Sequence, residues 1–190
     1  PPTADVTGRA IALLSLANKQ KYTENIKAGI NYLKTEQEDD GSWFGRWGTN
    51  YIYGTWSVLT ALEIAGENSQ QIYIRKAVEY FMQIQNSDGG WGESNDSYYP
   101  PKHYRPCKST AFQTAWVLLA LLAAGELKGA AIKKGVHYLL SNQLSNGQWD
   151  DDSYTAPGFP RVFYLKYHGY SKYFPLWALA RYRNLLQKIT

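Results

Sequence analysis

Phe159, Phe163, Tyr167 and Tyr170 stand 4, 4 and 3 residues apart, the spacing of one face of a helical turn. Periodicity alone would make such a stripe part of a hydrophobic core. The same rings have electron-rich faces, which stabilise a cation without offering a lone pair to attack it. Aromatic residues make up 15% of the chain, so material for either use is plentiful. Other chemical combinations are thinner. Cys107 and His103 lack the further ligands that a zinc site needs, and a single cysteine forbids an internal disulfide. His137 and His168 have no Ser or Cys partner in a triad-like arrangement. The run Asp150-Asp151-Asp152 in "WDDDSY" follows a turn, where Asp residues solvate a loop or cap a helix; magnesium binding for a diphosphate is the alternative.

The elements that would position these residues repeat. "KAGINYLKTEQEDDGSW" (27–43), "RKAVEYFMQIQNSDGGW" (75–91) and "KKGVHYLLSNQLSNGQW" (133–149) align on Gln37, Gln85 and Gln143. Each Gln is followed by a glycine (Gly41, Gly89, Gly147) and, six residues on, by a tryptophan (Trp43, Trp91, Trp149). Upstream, a base, a small residue, a tyrosine and an apolar residue keep fixed offsets, with Ile30, Val78 and Val136 completing helical spacing. Each unit is a helix running into a Gly-bearing turn.

The repeats lie 48 and 58 residues apart, which leaves room for a second helix in each interval. Segments 7–18, 54–66, 113–125 and 173–186 fill that role and are hydrophobic nearly all round, as buried helices are. The Lys-, Glu- and Gln-bearing repeat helices should face solvent. Seven helices alternating inner and outer predict an all-α array of αα-hairpins, with 92–108 and 150–172 as long loops. A Gln side chain can bond free backbone groups at a neighbouring helix end. The Trp is expected to stack on that Gln and tie one hairpin to the next, making the repeat a clasp. Thr55 and Thr114 on the inner helices are expected to satisfy backbone groups.

The three repeats resemble the QW motifs of squalene-hopene cyclases and related class II triterpene cyclases. "DGSWFGRWGTNYIYGTWSVLTAL" (40–62) and "GFPRVFYLKYHGYSKYFPLWALARYR" (158–183) sharpen the likeness, which covers essentially the whole chain. The resemblance implies that 1–190 is a carboxy-terminal segment of the catalytic barrel of a larger enzyme, about half of an (α/α)6 barrel. The start at Pro1, without an initiator Met, likewise suggests a fragment. The family's proton donor, an Asp-x-Asp-Asp motif, does not occur in the sequence. The fragment alone is therefore expected to be inactive.

Carried across by position, the resemblance assigns roles. Trp47 grips the initiating end of the substrate. Phe159 and Phe163 stabilise ring-forming cations, and Tyr167 and Tyr170 position substrate and limit early termination. Tyr53 falls at a polar cavity position near the acid. Asp5 supports the acid's hydrogen-bond network, and Arg9 stands where some relatives carry a histidine. An arginine holds a permanent charge and cannot deliver a proton at ordinary pH. No metal or organic cofactor is implied. The substrate would be a linear isoprenoid such as squalene, and the partner the rest of the parent barrel. The intact bacterial enzyme would sit peripherally on the cytoplasmic face of one membrane leaflet, while the fragment would be soluble.

Three other readings stay open: cyclisation of a C35 tetraprenyl-curcumene-type substrate, a helical-repeat interaction module without chemistry, and a prenyltransferase β-subunit. The last needs a zinc site of Asp, Cys and His, and Cys107 has no suitable Asp partner. The net charge of +4 comes from scattered bases and does not point to nucleic acid. The longest apolar run, Ala115 to Gly125, has 11 residues, against the roughly 20 of a membrane span. Exposed apolar faces of an open arc would favour pairing of two copies.

Overall fold

The computed structural model describes residues 2–189. Seven α-helices alternate as the repeats predict. The inner set is α1 (Ala4–Asn18), α3 (Tyr51–Ala65), α5 (Ala111–Ala123) and α7 (Tyr170–Gln187), and the outer set is α2 (Thr23–Thr35), α4 (Ile72–Gln83) and α6 (Ala130–Ser141). Among the inner helices α1 packs on α3, α3 on α5 and α5 on α7. Helices α3 and α5 lie between two inner neighbours and are buried along almost their whole length. The expectation of all-round burial fails for α1 and α7, each with an inner neighbour on one side. Leu13, Leu16, Tyr173 and Leu176 are exposed on them.

The Gln–Gly–Trp turns are built alike. Gly41, Gly89 and Gly147 have φ of 93°, 86° and 79°, a left-handed conformation that costs a side-chain-bearing residue energy. The indole Nε1 of Trp43, Trp91 and Trp149 donates to the carbonyl of Leu33 (2.7 Å), Phe81 (2.8 Å) and Leu139 (2.7 Å), each on the preceding outer helix. The indole N–H therefore fastens the turn to its own helix, and the Trp91 ring also packs on the next hairpin, where a Cβ on Gly135 of α6 would meet it at 2.7 Å. A second link comes from the glutamine. Gln37 Nε2 donates to Gly41 O and to Tyr73 O in the first turn of α4, both at 2.8 Å. Gln85 does the same with Gly89 O (2.8 Å) and Ala131 O of α6 (3.0 Å). The backbone N–H of Trp43 and Trp91 donates to Thr55 and Thr114 Oγ1 on the next inner helix, the use expected of those threonines.

Segment 150–172 is not wholly loop. Strands β1 (Ala156–Phe159) and β2 (Phe163–Leu165) form an antiparallel hairpin that pairs Phe159 with Phe163. The spacing of 4 between these residues is thus a cross-strand register and not a helical turn. Pro157, Gly158 and Pro160 rule out a helix there and suit a short edge hairpin. In segment 92–108 a 3₁₀ turn spans Asn95–Tyr98. Thr49 N and Oγ1 both donate to Thr155 O at 2.8 Å, and Asn95 Nδ2 donates to Tyr154 O at 2.7 Å, so the connecting segments brace one another.

Candidate functional site

The amino ends of the inner helices lie on one side of the arc, and the site residues stand there. Asp5 is in the first turn of α1, Tyr53 in the first turn of α3 and Tyr170 at the start of α7. Trp47 sits on the loop that leads into α3. Trp47, Tyr53, Tyr167 and Tyr170 line one cavity of about 420 Å³, together with Gly158 and Leu165 of the hairpin. Gly48 makes room for this: a Cβ there would meet the Tyr53 ring at 2.5 Å.

Behind the cavity stands a second tier of rings. Trp56 and Trp116 stack with centroids 5.4 Å apart and an interplanar angle of 8°. Tyr53 meets Trp116 edge-on at 5.3 Å, and Tyr170 meets it at 5.4 Å. Phe112 and Phe174 close the cluster at 4.9 and 5.4 Å from Trp116. Burial pushes the phenols of Tyr53 and Tyr170 above the ordinary tyrosine range. For Tyr53 the charge and hydrogen bond of Arg9 pull the other way. Both phenols stay protonated at neutral pH, so neither offers a phenolate that would trap a cation.

Asp5 is buried, and its oxygens are in use. Oδ1 accepts from Thr3 Oγ1 (2.5 Å) and Val6 N (2.9 Å), and Oδ2 accepts from the backbone N–H of Trp47 at 2.9 Å. The carboxylate thereby holds the Trp47 loop against α1. Arg9 lies one turn on, with its guanidinium carbon 4.5 Å from the Trp56 ring centroid. Phe159 and Phe163 meet edge to face at 5.7 Å, and Gly158 is the hairpin residue between them and the hollow. They are 60% and 45% exposed and do not line the cavity with Trp47. Asp150–Asp152 stand apart from it: Asp151 Oδ1 accepts from Ser153 N and Asp152 pairs with Lys166 at 3.3 Å.

Sequence reasoning missed Glu93. This fully buried carboxylate comes from the loop after the second repeat and accepts from Asn50 N (3.0 Å), Tyr51 N (3.1 Å) and Ile52 N (2.9 Å). It caps α3, whose own N-cap residue, Asn50, makes no side-chain cap bond. Gln113 on α5 pins its backbone, accepting from Glu93 N at 3.1 Å and donating to Glu93 O at 3.2 Å. Desolvation pushes Glu93 up to about 7 against the pull of the three N–H groups. Tyr98 was also missed; its hydroxyl, 2.7 Å from the carbonyls of both Gly45 and Gly48, fixes the loop that carries Trp47.

Residues 1–184 match the family described as squalene-hopene cyclase C-terminal domain. The chain belongs to the squalene-hopene cyclase family. It is 55% identical over 186 residues to the squalene-hopene cyclase of Zymomonas mobilis, covering 97% of this chain and 28% of that protein. To the probable squalene-hopene cyclase of Sinorhizobium fredii it is 57% identical over 189 residues, covering 97% and 29%. The chain thus spans under a third of the length of these relatives. Among solved structures it resembles a variant of the type II terpene cyclase MstE from Scytonema, in complex with the product merosterolic acid A. The TM-score is 0.63 at 22% identity, over 99% of this chain and 53% of that one. With the ent-copalyl diphosphate synthase of Streptomyces platensis the TM-score is 0.61 at 18% identity, over 82% and 29%. These likenesses fix the fold, an αα-hairpin array forming about half of an α/α toroid.

Proposed function

We propose that residues 1–190 are the carboxy-terminal segment of the catalytic barrel of a class II terpene cyclase that turns squalene, or a similar linear polyprenoid, into fused rings. The reading is carried by one observation: Trp47, Tyr53, Tyr167 and Tyr170 meet around a single hollow with a stacked tryptophan pair behind them. Protonating a terminal double bond leaves a carbocation that moves along the chain as rings close. Such a charge needs electron density without a nucleophile, and neutral aromatic faces supply that. Trp47 grips the initiating end and Tyr167 and Tyr170 position the substrate, while Phe159 and Phe163, which stand outside this hollow, would meet ring-forming cations only in a part of the cavity that the rest of the longer protein encloses. Asp5 and Arg9 support the acid: Asp5 fixes the Trp47 loop, and Arg9, lying over the Trp56 ring, adds a permanent charge near Tyr53. The proton donor and the facing wall belong to the rest of the longer protein. The whole enzyme takes its apolar substrate from one leaflet of a membrane; among the described residues no helix is long and apolar enough to cross one.

The test is product analysis. The 190-residue chain incubated with squalene should give no polycyclic product, and sustained turnover would sink the reading. In the full-length enzyme Trp47→Ala should slow cyclisation by about thirtyfold, the worth of one well-desolvated cation–π contact. Tyr167→Ala should divert product towards early-terminated rings.

A further inference from the structure

The three turn tryptophans each use the indole N–H on a carbonyl. Trp56 and Trp116 do not: their Nε1 atoms are buried and, among the described residues, have no hydrogen-bond partner. A buried N–H left unpaired destabilises a fold, and a phenyl ring at either position would carry no such penalty. The two side chains are 1% and 0% exposed, so no further segment of the longer protein can reach these atoms. What an indole offers here and a phenyl does not is breadth.

Trp116 uses that breadth to join three inner helices. Tyr53 and Trp56 of α3 meet its ring at 5.3 and 5.4 Å, Tyr170 and Phe174 of α7 both at 5.4 Å, and Phe112 of its own helix α5 at 4.9 Å. Of these, Tyr53 and Tyr170 line the hollow, one from each neighbouring helix. Both lean edge-on against the same indole, at 64° and 73° to it, so its place sets how far apart the two tyrosines stand. The indole has no room to retreat. It is stacked on Trp56 at 8°, and Trp56 carries the Arg9 guanidinium carbon 4.5 Å from its own ring centroid.

We infer that Trp116 is a positioning residue that sets product specificity: wholly buried, it meets no substrate, and it holds Tyr53 and Tyr170 at the separation that fits a folded polyprenoid. The inference rests on the cyclase reading above and names a residue which that reading does not use. A narrower ring at 116 leaves space behind both tyrosines, and packed side chains relax into such space. The hollow then widens and the chain is held less closely folded. A cation that waits for the next double bond loses a proton from the neighbouring carbon to water, which leaves an alkene isomeric with the substrate. Product shifts from fully to partly cyclised.

The test is product analysis of the full-length enzyme with squalene. Trp116→Phe should raise the ratio of partly to fully cyclised product by about tenfold, within the roughly hundredfold that a misplacement of about 1 Å can cost. Its unfolding temperature should stay near the parent's, because the unpaired N–H goes with the indole. Trp56→Phe, beside Tyr53 at 5.7 Å, should raise the ratio less, and it carries the test if Trp116→Phe does not fold. Phe81→Leu, at an equally buried ring on outer helix α4 beside Tyr80, should lower the unfolding temperature and leave the ratio unchanged. On a Tyr170→Ala background, Trp116→Phe should add less than it does alone, since residues that act through one another are not additive. The inference is overturned if neither tryptophan variant changes the parent's ratio, if Phe81→Leu changes it as much, or if Trp116→Phe adds equally on both backgrounds. A parent enzyme that forms no rings sinks the cyclase reading and this inference with it, whereas a parent that cyclises beside silent variants sinks this inference alone.

Discussion

The first two repeats and the third share every residue of the motif, yet they are held differently. In all three the indole bonds a carbonyl of its own helix at 2.7 or 2.8 Å, and the tryptophan is buried. Among the described residues the second glutamine bond is made in the first two alone. Two hydrogen bonds are thereby separated: the indole N–H ties the turn to its own helix, a local matter, and the glutamine's second bond depends on a neighbour.

The sharpest way to break that separation is to remove the indoles. Trp91→Ala should cost about 4 kcal/mol in urea unfolding, in the range for burying and then deleting a large aromatic ring. Trp149→Ala should cost at least half as much, and a near-silent effect at Trp149 would mean that the turn is not autonomous.

A second contrast lies two residues past each tryptophan, at Gly45, Glu93 and Asp151, where Glu93 alone reaches a helix start. Its folded-state pKa of about 7 lies above the ordinary 4.5, so its contribution to stability is full below pH 4.5 and is lost as pH rises through 7. That fall should be on the order of 3 kcal/mol. Unfolding measured at pH 4.5, 6 and 7.5 should show it in the parent chain and a flatter profile in Glu93→Gln.

Glycine and glutamine give smaller effects. Gly89→Ala should destabilise more than Gly147→Ala: both pay about 1 kcal/mol for the left-handed backbone, and only the former also strikes Lys134 O at 2.8 Å. Gln85→Ala should cost about 1–2 kcal/mol for its two bonds. Gln143→Ala should stay within about 0.5 kcal/mol, as at an exposed site. Equal losses at Gln85 and Gln143 would erase the contrast.

The helical array was legible because its signals are local: apolar periodicity marks each helix, and a glycine marks each turn. Four of the cavity residues could be named by position because they ride on that array or its loops. The hairpin escaped because a spacing of 4 suits either a helical turn or two strands joined by a tight loop. Pro157, Gly158 and Pro160 argue against the helix but suit an open loop as well as a hairpin, and the bonds from Thr49 and Asn95 that anchor residues 154–155 are tertiary. Glu93 escaped for a related reason. Nothing in "GGWGE" shows that its carboxylate ends beneath a helix that begins more than forty residues earlier in the chain.

Helices α3 and α7 start at the cavity rim, where Tyr53 and Tyr170 line it, so their peptide dipoles add there, each worth about half a positive charge at its amino end. Left bare, that rim would attract anions and repel a migrating carbocation. The Asp5 carboxylate at the start of α1 offsets part of this field, while Glu93, held neutral by burial up to about pH 7, caps α3 without adding a full charge. The rings are left to sculpt a potential that the backbone would otherwise have tilted the wrong way.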